Sequence, residues 1–94
     1  MIWLMDNEPI SVRPLDLAVA AEVRADMARW NFTISGMAAA VNMNRAPFTE
    51  RYHGRRPFAP SELQKVAARF GATASDILAR AESAAPAEEL AAAS

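Results

Sequence analysis

Residues 33–54 read TISGMAAAVNMNRAPFTERYHG. The pattern predicts a short helix from Ile34 to Val41, with Thr33 as its N-cap. Asn42 follows where the chain must turn sharply, and asparagine tolerates the left-handed region better than most residues that carry a Cβ. Asn44 then caps a second helix. Pro47 falls at that helix's third position, where its missing N–H matters little because first-turn donors have no intrahelical partner. Phe48 and Tyr52, four apart, share the inner face. Gly54 is a natural C-terminal stop, and Arg55 and Arg56 come directly after it. Met37, Ala38 and Val41 give the first of the two helices a small inner face, and Gly36 weakens it slightly.

Upstream, Val19, Val23, Met27 and Trp30 recur at helical intervals and predict an amphipathic helix with this stripe in the core. It begins near Leu15 or Asp16, with Asp16 as cap or first-turn acid, and it breaks at Asn31. Downstream, Arg55 to Pro60 is a loop with two prolines. Ser61 is expected to open a fourth helix, with Gln64 completing a capping box. Leu63, Val66, Ala67 and Phe70 form its apolar face, and Gly71 ends it. Thr73 or Ser75 starts a fifth helix with Ile77 and Leu78 inward. The domain therefore spans 15–83. Residues 1–14 form an N-terminal arm, in which Ile2, Trp3 and Leu4 either pack back on the core or precede a start at Met5. Residues 84–94, with Pro86, are an acidic, alanine-rich tail, frayed or disordered.

Ninety-four residues make one small domain with one core. The absence of cysteine removes disulfides and thiolate metal sites, and the single histidine, His53, cannot build a metal cluster. No apolar run approaches a membrane span, and Met1 to Met5 is too short and lacks the basic start of a signal peptide. The expectation is a cytoplasmic, nucleoid-associated protein of a bacterial host. Paired histidine and nucleophile, glycine-rich phosphate loop and carboxylate cluster are all missing, so the sequence predicts no enzyme, no catalytic residue, no cofactor, no metal and no small-molecule ligand. The net charge is −1, but it is unevenly placed. Residues 45–69 hold Arg45, Arg51, Arg55, Arg56, Lys65 and Arg69 against Glu50 and Glu62, a net +4, which leaves −5 elsewhere. Arginine outnumbers lysine nine to one and alanine supplies 22 residues, a composition that suggests a GC-rich genome.

Two short helices, a tight turn and a basic exit are the layout of a DNA-reading helix-turn-helix. Ala38, Met43, Phe48 and Gly54-Arg55-Arg56-Pro57, with the string Glu62 to Gly71 and Asp76-Ile77-Leu78, extend the match. In their order and spacing, residues 16–82 resemble the Cro and phage-repressor type of helix-turn-helix domain. The resemblance implies an all-α, five-helix lambda-repressor-like fold whose second and third helices form the reading unit. The run Arg51 to Phe58 is also similar to small regulators of temperate phages from GC-rich hosts. The chain departs from the family at three places. Asn42 stands where glycine is usual, Ile34 where glutamine is frequent, and Arg51 where an apolar residue is preferred.

With Phe48 facing the core, Ala46, Thr49, Glu50 and His53 lie on the far side of the third helix, between Arg45 and Arg51 on its flanks. The N-terminal part of such a helix enters the major groove. Arginine can bind guanine O6 and N7, glutamate can accept from cytosine N4, and alanine or the threonine methyl can touch the thymine methyl. Arg45, Ala46, Thr49 and Glu50 are therefore the candidate base-edge residues. Thr33, Ser35, Asn44, Arg51, His53, Arg55 and Arg56 suit phosphates, and Arg51 would lay its stem along the core edge to do so.

The expected function is sequence-specific binding of double-stranded DNA as a transcriptional regulator, a phage or prophage repressor. A homodimer is the expected state on DNA, joined through the arm or through the fifth helix and tail. Two alternatives stand beside this. One is an antitoxin or recombination accessory factor whose main role is protein contact. The other is a helix-turn-helix that has lost DNA binding, against which the +4 segment argues.

Overall fold

Residues 12–84 are described by the computed structural model. They form five helices: α1 (Pro14–Arg29), α2 (Ile34–Ala40), α3 (Arg45–Tyr52), α4 (Pro60–Arg69) and α5 (Ala74–Ala84). The expectations for Ile2, Trp3, Leu4 and Met5, and for the tail beyond Pro86, lie outside the described residues.

The first four helices end in the same way. In each, the residue after the cap adopts positive φ: Asn31 at 60°, Asn42 at 59°, Gly54 at 77° and Gly71 at 69°. The next N–H then reaches back to the carbonyl five residues earlier. Phe32 donates to Met27 at 2.8 Å, Met43 to Ala38 at 2.8 Å, Arg55 to Glu50 at 2.9 Å and Ala72 to Ala67 at 3.0 Å. This is the Schellman motif, which satisfies orphan carbonyls while reversing the chain. Four reversals fold the five short helices onto one another, and each falls at an asparagine or glycine because other side chains resist that backbone region.

The core draws on every helix. Val19, Val23 and Met27 of α1, Met37 and Ala38 of α2, Phe48 of α3, Leu63, Val66 and Ala67 of α4, and Ile77 and Ala81 of α5 are all buried, as is Val41 at the end of α2. α1 packs along α5 and against α3, while α2 packs on α3 and α4 on α5. Among the described residues, one charged side chain is buried with them. Asp26 accepts two hydrogen bonds from Arg80 of α5, at 2.8 and 3.2 Å, and lies 3.3 Å from Arg29. Among the described residues, no buried side-chain polar atom lacks a partner.

The structure corrects four details. Trp30 is not core; it is 58% exposed. The helix has ended at Arg29, and Asn31 turns the chain so that Phe32 takes the inner place, its ring edge-on to Phe70 at 5.8 Å. Leu78 is exposed because α5 buries the face of Ile77 and Ala81, one step round the helix. α1 starts at Pro14, with Asp16 in its first turn accepting the Arg13 N–H at 3.0 Å. α4 starts at Pro60, a turn position that proline prefers, so Ser61 and Gln64 do not form the expected capping box. Glu62 fills that role, accepting the Ala59 N–H at 2.8 Å. At α5, Thr73 is the cap, and its hydroxyl and the Asp76 carboxylate exchange hydrogen bonds with each other's backbone N–H, at 3.1 and 2.9 Å. That backbone bond, joined by the Thr73 hydroxyl, holds the Asp76 carboxyl below its ordinary value.

Candidate nucleic-acid interface

α2 is opened by Thr33, whose hydroxyl accepts the Gly36 N–H at 2.9 Å. A Cβ on Gly36 would lie 2.9 Å from that same oxygen, so the glycine that weakens the helix also leaves room for its cap. Ser35 is exposed beside it. Asn44 stands at the N-cap position of α3 but makes no side-chain cap hydrogen bond. Its amide is exposed, not engaged in the helix start as the sequence pattern predicts.

α3 is fixed from behind. Phe48 is fully buried, with Tyr52 and Phe58 at ring distances of 6.4 and 6.1 Å. Arg24 of α1 donates to the Tyr52 carbonyl at 2.8 Å, and its guanidinium lies 6.0 Å from the Tyr52 ring centroid. Gly54 sits against α1, where a Cβ would come within 3.0 Å of Leu17. With these contacts the orientation of the helix is over-determined, and a rigid helix is what a geometric reading surface needs.

The expected base-edge residues fall on the outer side of this helix. Arg45 and Ala46 are exposed, and Thr49 and Glu50 are half-buried. The Thr49 hydroxyl donates to the Arg45 carbonyl at 2.7 Å, so its proton is already used. Glu50 accepts from Arg55 Nε at 2.8 Å. A residue expected to read bases and one expected to touch phosphates thus hold each other.

The expected phosphate residues divide. His53, Arg55 and Arg56 are exposed beyond the last turn of α3. Arg51 differs from expectation. Its stem does lie along the core edge, but its charge turns inward, to Glu62 at 2.9 Å and the Pro47 carbonyl at 2.9 Å. That pair is about one-fifth exposed on both sides. Glu62 Oε1 also takes the Ala59 N–H, so one carboxylate locks α3 to the start of α4. The loop carrying Arg55 and Arg56 is therefore anchored at Gly54, Phe58 and Ala59. Among the described residues, Arg45, Arg56 and Lys65 form no ion pair.

Three arginines of the fold escape the sequence pattern. Arg24 and Arg80 act across 28 and 54 residues of chain, and no local signal marks them. Arg69 donates to the Ala40 carbonyl at 2.7 Å, closing the end of α2 from α4. With Lys65, Asn42 and Ala40 it lines an open groove of about 410 Å³ beside the turn. Arg69 and Lys65 are visible in sequence only as contributors to the local positive charge.

Among the described residues, no cluster of His, Cys, Asp or Glu could hold a metal ion, and no helix is long and apolar enough to cross a membrane. No family model and no curated protein matches the sequence. Among solved structures the chain is similar to two crystal structures of the clp gene regulator ClgR from Corynebacterium glutamicum. One is 26% identical, with 73% of each chain covered and a TM-score of 0.68. The other is 25% identical, covering 77% of this chain and 92% of that one, with a TM-score of 0.69. The likeness is to a regulator, not to an enzyme. The chain has the all-α, five-helix, lambda-repressor-like helix-turn-helix fold that the regulator ClgR also has.

Proposed function

We propose that this protein is a transcriptional regulator that binds duplex DNA in a sequence-specific manner, with the N-terminal half of α3 in the major groove. The observation that carries this is the disposition of charge around α3. Arg45 and Arg56 are exposed at the two ends of a helix clamped from behind, and neither is spent on an ion pair among the described residues. Arginine at such positions serves guanine edges and phosphates.

Arg45, Ala46 and Thr49 are the proposed base contacts. Thr49 would offer its methyl group, since its hydroxyl proton is engaged. Thr33, Ser35, Asn44, His53, Arg55 and Arg56 are the proposed phosphate contacts, which fix register without reading sequence. Thr33 can donate its hydroxyl proton while its oxygen still caps α2. Regulation of genes is carried over from the ClgR likeness; the clp genes are not. The finer proposal, a repressor of phage or prophage type acting as a homodimer, rests on the run Arg51 to Phe58 and on the fold alone.

Selection from random duplexes, followed by sequencing of bound DNA, tests the reading. An enriched motif is expected, with log affinity falling linearly against log salt. For five to seven phosphate contacts the slope is on the order of −5. Absence of an enriched motif, or binding indifferent to salt, overturns it.

A further inference from the structure

We infer that Glu50 does not read bases independently of Arg55, and that the two form one exchangeable pair that suppresses binding to non-cognate DNA. The inference rests on the DNA-binding reading above. Its basis is a difference between two ion pairs on the same helix. Arg51 is bound to Glu62 in a largely buried contact that also takes the Pro47 carbonyl and the Ala59 N–H. That pair is part of the scaffold. Glu50 and Arg55 meet at 2.8 Å in the open, with side chains 41% and 55% exposed.

The backbone makes this exposed pair persistent. The Glu50 carbonyl accepts the N–H of Arg55 at 2.9 Å and of Arg56 at 3.3 Å. The exit turn is wrapped on Glu50 itself, which sets the Arg55 backbone beside its partner. Its side chain, 55% exposed, is the part open to another partner. An exposed pair of this kind adds little to stability. A guanidinium–phosphate contact adds comparable attraction and also releases a counterion. A phosphate in reach of Arg55 can therefore compete with Glu50.

The exchange leaves Glu50 without its cation, beside a polyanion. Like charges in that position oppose binding. The carboxylate is relieved only where a donor replaces Arg55, and in the major groove that donor is the amino group of cytosine. On a matching site both exchanges occur together. On other sites Arg55 stays with Glu50 and contributes nothing, or leaves and exposes an unpaired carboxylate. Either way the loss falls on the wrong duplex, which is how repulsion creates specificity.

Four full-length proteins test this: wild type, Glu50→Gln, Arg55→Ala and the double variant. Each is titrated against the selected duplex and a scrambled duplex of equal length, at several salt concentrations. Thermal melts confirm equal folding, and Glu50→Ala serves as a second removal of the charge. Glu50→Gln is expected to bind the scrambled duplex on the order of tenfold more tightly, with a salt slope steeper by about one. The ratio of selected to scrambled affinity falls. In the Arg55→Ala background the same change relieves only the repulsion of the carboxylate, so the salt slope does not steepen by the Arg55 contact. A Glu50→Gln effect at one base pair that is equal with and without Arg55 makes Glu50 an independent reader and overturns the inference. So does a Glu50→Gln protein indistinguishable from wild type on both duplexes. A wild type that binds neither duplex at low salt removes the DNA-binding reading itself, an outcome separate from both.

Discussion

Arg80 meets Asp26 at 2.8 Å between α1 and α5, and Arg55 meets Glu50 at the same distance beyond the end of α3. The bonds are alike in length and chemistry, but their surroundings are not. The Asp26 carboxylate is 3% exposed and is held by two arginines, so no solvent or ligand can take the place of Arg80. The Glu50 carboxylate is 41% exposed and faces one arginine that is itself half in water. The hydrogen bonds to Asp26 hold the Arg80 guanidinium above its ordinary value. Burial thus decides what an arginine–carboxylate pair does. The first fixes the packing of two helices, and the second is free to change partner. The molecule is accordingly built in two parts, a fixed α1–α5 back and an α3 front whose outer charges are available.

The two faces of α3 give the largest contrast. Phe48 is completely buried against Tyr52 and Phe58. Phe48→Ala should cost about 3–5 kcal/mol, a large share of the stability of a domain this small. Glu50→Ala, two residues on, should shift stability by no more than about 0.5 kcal/mol. Denaturant melts of the two variants check the pair. A Phe48→Ala protein that melts like wild type would mean that α3 does not dock on the core by this face.

Next in size is the buried pair. Arg80→Ala strands Asp26 with only Arg29, at 3.3 Å, to answer it. Removing one partner of a buried pair costs about 3–5 kcal/mol. The lower end applies because Arg80 is 40% exposed and Arg29 remains. A loss of about 3 kcal/mol corresponds to a fall in Tm on the order of 15 °C. Arg55→Ala should leave Tm nearly unchanged, since exposed pairs contribute little. Equal effects from the two arginines would erase the distinction between fixed back and exchangeable front.

The front of the molecule was largely legible in the sequence. Thr33, Asn42, Pro47 and Gly54 each impose a local backbone requirement, and local requirements need no knowledge of the fold. The same is true of Phe48, which falls on the inner face by helical period. What could not be read lies where distant chain meets. Arg24 on Tyr52, Arg69 on Ala40 and Arg80 on Asp26 depend on tertiary docking. The helical stripe places Trp30 inside, but α1 ends one residue before it and Asn31 changes the direction of the chain. Ser61 suits an N-cap and pairs with Gln64 in the sequence pattern, but Pro60 takes the first helical position and sets the cap two residues earlier, at Ala59. The candidate contacts were legible as residue types on a face. Their engagement is not: Arg51 and Arg55 are the same residue type, and only what packs beside them sets one in a largely buried pair and the other in an exposed one.

The smallest expected effect lies at the turn between α2 and α3. Four helices end in one motif, yet two use asparagine at the positive-φ position and two use glycine. A residue with a Cβ is strained there by about 1–2 kcal/mol, and asparagine suffers less than most because its side chain can bond locally. Glycine avoids the strain but gives up about 0.5–1 kcal/mol of chain entropy. The two terms nearly cancel, so Asn42→Gly should change stability by only a few tenths of a kcal/mol, whereas Asn42→Ala should lose about 1 kcal/mol. The backbone reversal is kept in Asn42→Gly, with the Met43 N–H still on the Ala38 carbonyl. DNA affinity then isolates the side chain. Asn42 is exposed and lines the groove with Lys65 and Arg69. If it is only a turn residue, Asn42→Gly binds the selected duplex as wild type does, and Asn42→Ala loses stability but not affinity at low temperature. If Asn42→Gly loses affinity at unchanged Tm, the asparagine is a contact, and the front of the molecule extends past α3 to the turn.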